Sequence, residues 1–128
     1  MPRRIALVED DATIRQNYAD ALARAGYEVQ AFADRPQAMR SLATRLPDLA
    51  IVDIGLGAEI DGGFALCREL RALSATLPII FLSARDSDFD IVAGMLTAIQ
   101  SFVKEAFGAH ATPPNVAVYE AEAEYDVS

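Results

Sequence analysis

The chain has 128 residues, 52% of them hydrophobic and 23% charged, the size and balance of one globular domain with a single core. A net charge of −8 and an isoelectric point near 4.5 argue against nucleic-acid or anionic-membrane binding, since both need clustered Lys and Arg. One cysteine, Cys67, excludes an internal disulfide, and neither a signal peptide nor a membrane-length apolar run is present, so a cytoplasmic protein is expected.

Four short apolar runs recur along the chain, each followed by a stretch of helical character. The first strand is expected at IALV, Ile5 to Val8, and the helix after it from Ala12 to Ala25. That helix places Ile14, Tyr18, Ala21, Leu22 and Ala25 on one face, and Gly26 supplies a left-handed stop. EVQAF, Glu28 to Phe32, is the second strand, and a helix from Asp34 to Arg45 follows with Asp34 as its cap. The third strand, LAIVDI, Leu49 to Ile54, precedes a helix from Gly63 to Leu73 that buries Leu66, Leu70 and Leu73. IIFLS, Ile79 to Ser83, is the fourth strand. LAIV and IIFL are continuously apolar, as strands buried on both faces should be, so they are placed at the centre of a parallel sheet. Cys67, Tyr18 and Phe32 read as core side chains.

In open sheets of this kind, ligands gather at the carboxyl edge of the strands. The first strand ends in VEDD, with Glu9, Asp10 and Asp11; the third ends in VDIGLG, with Asp53; the fourth ends in LSAR, with Ser83. Carboxylates brought together repel one another, and a hard divalent cation resolves the repulsion. An acidic Mg²⁺ site is therefore expected. Asp11 fits a helix cap better than a ligand, Asp61 fits the turn before Gly62 and Gly63, and His110 has no metal-ligand neighbours in sequence. GLGAEIDGG lacks the Lys-Ser or Lys-Thr pair of a phosphate-cradling loop.

VEDDATIR, VDIGLGAEIDGG and FLSARDSD, in that order, resemble the response-regulator receiver family of two-component signalling. The resemblance implies a flavodoxin-like, doubly wound parallel α/β sheet. It also implies Glu9 and Asp10 as the acid pair of the metal site, Asp53 as phosphoacceptor and further metal ligand, and the Gly55 carbonyl as another ligand. Ser83 matches the hydroxyl residue that reorients when phosphate is bound. The implied reaction is transfer from a phosphohistidine of a sensor histidine kinase to Asp53, followed by slow self-dephosphorylation. The GLG turn and RELRALSATLPIIFLSARDSDFD are similar to receivers found with dedicated sortase systems of proteobacteria.

The pattern departs from the family after residue 95. A receiver continues with a fourth helix, a fifth strand ending in lysine, and a fifth helix. Here Ile91, Val92, Met95, Leu96, Ile99, Phe102, Val103 and Phe107 share one half of a helical wheel, while Asp90, Thr97, Gln100, Ser101, Lys104 and Glu105 take the other. One long helix over residues 90–107 is expected, with Lys104 facing solvent; the other reading makes Lys104 the catalytic cation. From Val116, VAVYEAEAEYDV alternates as a fifth, edge strand with an acidic face, and nothing after it suffices for a fifth helix.

The chain is thus expected to form one domain over residues 1–128, typical over 3–95 and divergent over 96–128. The missing helix would leave part of one sheet face uncovered, which predicts a homodimer, with exchange of the C-terminal helix and strand as one route. Two readings stand beside the phosphoacceptor. One is a non-phosphorylated interaction or dimerisation module; the other is a small Mg²⁺-dependent phosphohydrolase, for which no general acid is evident. In this chain no direct nucleic-acid or membrane partner is expected.

Overall fold

The computed structural model describes residues 2–53, 62–82, 101, 103–105, 107 and 118–121. Their elements run β1 (Arg4–Val8), α1 (Ala12–Arg24), β2 (Glu28–Phe32), α2 (Arg35–Leu42), β3 (Leu49–Asp53), α3 (Gly62–Leu73), β4 (Ile79–Leu82) and β5 (Val118–Ala121). The strands form one sheet in the order β2-β1-β3-β4-β5, with every neighbouring pair parallel. The expected doubly wound sheet is therefore present. The C-terminal alternating segment does supply an edge strand, beside β4.

Period-two alternation sorts the sheet residues onto two faces. Ile5 and Leu7 of β1, Leu49 and Ile51 of β3 and Ile80 of β4 join Ile14, Tyr18 and Leu22 of α1 in one cluster. Ala6, Val8, Ala50, Val52, Ile79 and Phe81 pack on the other face against Ala38 and Leu42 of α2 and Leu66 and Leu70 of α3. β3 is buried at all five positions, the four apolar residues as a strand covered on both faces requires and Asp53 with them at its end.

The helix ends follow local chemistry. Asp11 accepts from the amides of Thr13 and Ile14, and Asp34 accepts from that of Gln37, so both are N-caps. Gly26 stands at φ +100°, which stops the chain after α1 where an L side chain would be strained. Three expectations differ from what is found. α2 ends at Leu42, with Ala43 as its C-cap, and not at Arg45. Ala25 is an exposed C-cap outside the buried stripe. Leu73 is 46% exposed at the last turn of α3, because the chain turns there and Leu77 enters the core in its stead.

The expected helix over 90–107 is helical at residues 101, 103–105 and 107, while 90–100 lie outside the described residues. Its placement changes the account of the uncovered face. Val103 is fully buried in the α1-side cluster, and Phe107 packs against the same cluster, with its ring 5.6 Å from that of Tyr27. Residues before β5 in the chain thus cover sheet surface beside α1. This has a topological consequence: α3 carries the step from β3 to β4 over the opposite face, and a right-handed step from β4 on to β5 would use that same opposite face.

Candidate functional site

Register brings the two buried acids together. β1 and β3 pair with Val8 opposite Val52, so the next residues along the two parallel strands, Glu9 and Asp53, leave the sheet side by side. Both continue the odd-numbered set that faces α1, and their side chains therefore emerge on the same face. Each is only 2% exposed. Asp10, the next residue, is exposed, and one carboxylate oxygen from each of Glu9, Asp10 and Asp53 lies within 4.8 Å of the others. A cavity of about 200 Å³ opens over them, lined among the described residues by Glu9, Asp10, Asp11, Ile14 and Asp53.

The electrostatics follow from that crowding. Burial first, and then the negative charge of Asp53, push the Glu9 carboxyl up to about 9; the Asp11 amide, which donates to Glu9 Oε1 at 3.1 Å, pulls the other way. Without a cation Glu9 therefore holds a proton at neutral pH. Tyr18, deeper on the α1 side, is pushed upward by burial, and then by the charges of Glu9 and Asp53.

The turn from β1 into α1 is braced on several sides. Glu9 N donates to Phe32 O at 3.0 Å, which ties the end of β1 to β2. Arg15, one turn into α1, donates from Nη1 to the Glu9 carbonyl at 2.8 Å and to the Asp10 carbonyl at 3.5 Å. Asp11 spends its side chain on the helix cap, as its sequence position suggested.

A site of three oxygen-donor carboxylates, two of them buried, suits a hard divalent cation better than a soft one. Its charge would relieve the repulsion that keeps Glu9 protonated. The donor set therefore fits Mg²⁺.

Of the residues singled out in the sequence, Glu9, Asp10 and Asp53 are brought together. Ser83 and Gly55 lie outside the described residues, as do Asp61 and His110. Lys104 is exposed on the helical segment next to buried Val103 and is absent from the cavity lining. It is also the only lysine in the sequence. Sequence reasoning did not single out Arg15, whose guanidinium reaches back to the Glu9 and Asp10 carbonyls by a geometry that no periodic signal records.

The family description "Response regulator receiver domain" matches residues 5–111, which runs past residue 95, where the motif resemblance ends. Response regulator MprA of Mycobacterium sp. (strain KMS) is 34% identical over 107 residues, covering 84% of this chain and 46% of its own length. MprA of Mycobacterium ulcerans (strain Agy99) is 33% identical over 107 residues, covering 84% of this chain and 45% of its own. The chain thus spans about half the length of these curated relatives. Among solved structures, a response regulator from Chloroflexus aurantiacus superposes with a TM-score of 0.69 at 29% identity, covering 84% of this chain and 99% of that one. The receiver domain of a signal transduction histidine kinase from Syntrophus aciditrophicus gives a TM-score of 0.70, covering 90% and 97%; at 24% identity it speaks for the fold alone.

Proposed function

The chain belongs to the response regulator receiver family, and from that premise we propose that Asp53 is its phosphoacceptor, served by a Mg²⁺ site of Glu9, Asp10 and Asp53. The observation that carries this reading is the convergence of the three carboxylates within 4.8 Å beneath an open cavity. The buried Asp53 carboxylate attacks the phosphorus of a phosphohistidine on a sensor histidine kinase; the P–O bond forms, the P–N bond breaks, and the histidine nitrogen keeps its electron pair. Phosphoryl transfer asks for alignment and charge neutralisation more than for covalent help. β3 supplies the alignment by holding Asp53 at its end. Glu9 and Asp10 would hold the cation, which when bound neutralises charge on the transferring group. Gly55 would add its carbonyl and Ser83 its hydroxyl, as the family pattern implies.

With its only lysine exposed on a helix, the chain has no second lysine to offer the phosphoryl group. Transfer is therefore expected to depend steeply on Mg²⁺. Incubation with acetyl phosphate and Mg²⁺ should add one acid-labile phosphoryl mass, lost in Asp53→Ala and unchanged in Lys104→Ala. No mass gain in the wild type would favour the interaction-module reading, and turnover of small phosphate esters would favour a phosphohydrolase.

The assembly proposed with this function is a homodimer formed by exchange of the segment from the 101–107 helix through β5. A specific observation supports it: Val103 lies on the face that a right-handed β4-to-β5 step within one chain would not use. Exchange frees that connection from the handedness rule, because the helix and β5 then complete the sheet of a second copy. A single domain over residues 1–128, in the cytoplasm, completes the reading.

A further inference from the structure

Resting on the metal-site reading above, we propose that Arg15 is a positioning residue for the cation: it clamps the backbone that carries Glu9 and Asp10 and so sets the spacing of their carboxylates. One guanidinium nitrogen, Nη1, is 2.8 Å from the Glu9 carbonyl and 3.5 Å from the Asp10 carbonyl. Two successive peptide groups are thereby oriented from one point, and the side-chain directions of Glu9 and Asp10 follow from those peptide planes. The Glu9 carboxylate is held from its other end by the Asp11 amide at 3.1 Å. Arg15 itself is anchored in the first turn of α1, where its own amide donates to Asp11 O at 2.9 Å.

A purely structural role explains this less well. The start of α1 is already satisfied by Asp11, which accepts from Thr13 and Ile14 at 2.9 and 3.0 Å. The end of β1 is already tied by the Glu9 amide to Phe32. Among the described residues, the hydrogen bonds of the Arg15 guanidinium go to the two carbonyls of the acid pair. Groups that orient ligands from behind typically change metal affinity 10- to 100-fold when removed.

The sign of the effect separates this clamp from simple charge. A guanidinium close to a cation site repels the cation, so electrostatics alone predicts tighter binding once Arg15 is removed. The clamp predicts weaker binding. Mn²⁺ titration of the full chain, followed by loss of the free-ion electron paramagnetic resonance signal, reads the affinity directly. Arg15→Ala is expected to bind Mn²⁺ about tenfold more weakly than wild type. Arg15→Lys, which keeps one donor near the carbonyls, should recover most of the loss, whereas Arg15→Gln should not. Arg24→Ala, which removes an equal charge at the far end of α1, should bind like wild type.

Unchanged or tighter binding in Arg15→Ala overturns the proposal. If Arg15→Ala does not fold, as judged by circular dichroism, the Lys and Gln variants decide, and equal affinities for those two overturn it. Absence of Mn²⁺ binding in the wild type would instead overturn the metal-site reading on which the proposal rests.

Discussion

Glu9 and Asp53 stand side by side with almost no exposure, and in the absence of a cation burial and the charge of Asp53 raise the Glu9 carboxyl. The rise is from 4.5 to about 9, so between those values the folded protein binds a proton that the unfolded chain releases. Stability from this group is full below about 4.5 and declines as pH rises toward 9. Asp53→Asn removes the charge that comes second only to burial in raising Glu9. Thermal unfolding in EDTA from pH 5 to 9 should show a shallower decline and a higher Tm near pH 8 in Asp53→Asn than in wild type. With Mg²⁺ added, the wild type should gain more than the variant. A variant with a lower metal-free Tm and an equally steep decline would contradict this account. The acids themselves were legible in the sequence because they end buried strands. Their exact partnership was not, since it depends on the register that sets Val8 against Val52.

Helix boundaries were legible where the chemistry is local. Asp11, Asp34 and Gly26 each act within a turn of their own position, and all three do what their side chains or lack of one suggested. Gly26 offers a clean test, because a Cβ built there meets nothing within 4 Å and the strain is purely that of its φ of +100°. Gly26→Ala should cost about 1 kcal/mol and lower Tm by roughly 4 °C, with Mg²⁺ affinity unchanged; an unaltered Tm would mean that the turn relaxes at no cost. Leu73 was misplaced for the complementary reason. Helical periodicity puts it in line with Leu66 and Leu70, but Leu77 beyond the turn takes the covered position. Periodicity identifies a face, and it does not say where along the face the cover ends.

The assembled sheet decides where the described residues of the divergent quarter lie. Amphipathic spacing correctly separated Val103 from Lys104 and Glu105, since the first is buried and the other two are exposed. It could not say which sheet face Val103 would cover. That face is the one beside α1, and it is the observation that motivates the proposed exchange. Sedimentation equilibrium at tens of micromolar should find a species near twice the chain mass of 13.8 kDa. Val103→Asp, which places a charge in that buried position, should shift the species toward monomer and lower Tm. A wild-type chain that sediments as a monomer at every concentration would remove the exchange model while leaving the site untouched.

By itself the sequence determined the element order, the parallel class of sheet, the helix caps and the candidacy of Glu9, Asp10 and Asp53. These depend on residue type, on short-range spacing and on the burial pattern of single strands, all of which are written locally. Tertiary structure alone decided that Glu9 and Asp53 are neighbours, that Arg15 reaches back to the acid pair and that Val103 lies on the α1 side. Each of these joins residues distant in the chain or turned toward one another only by the docking of α1, and no local pattern records which strands pair or which face a helix meets.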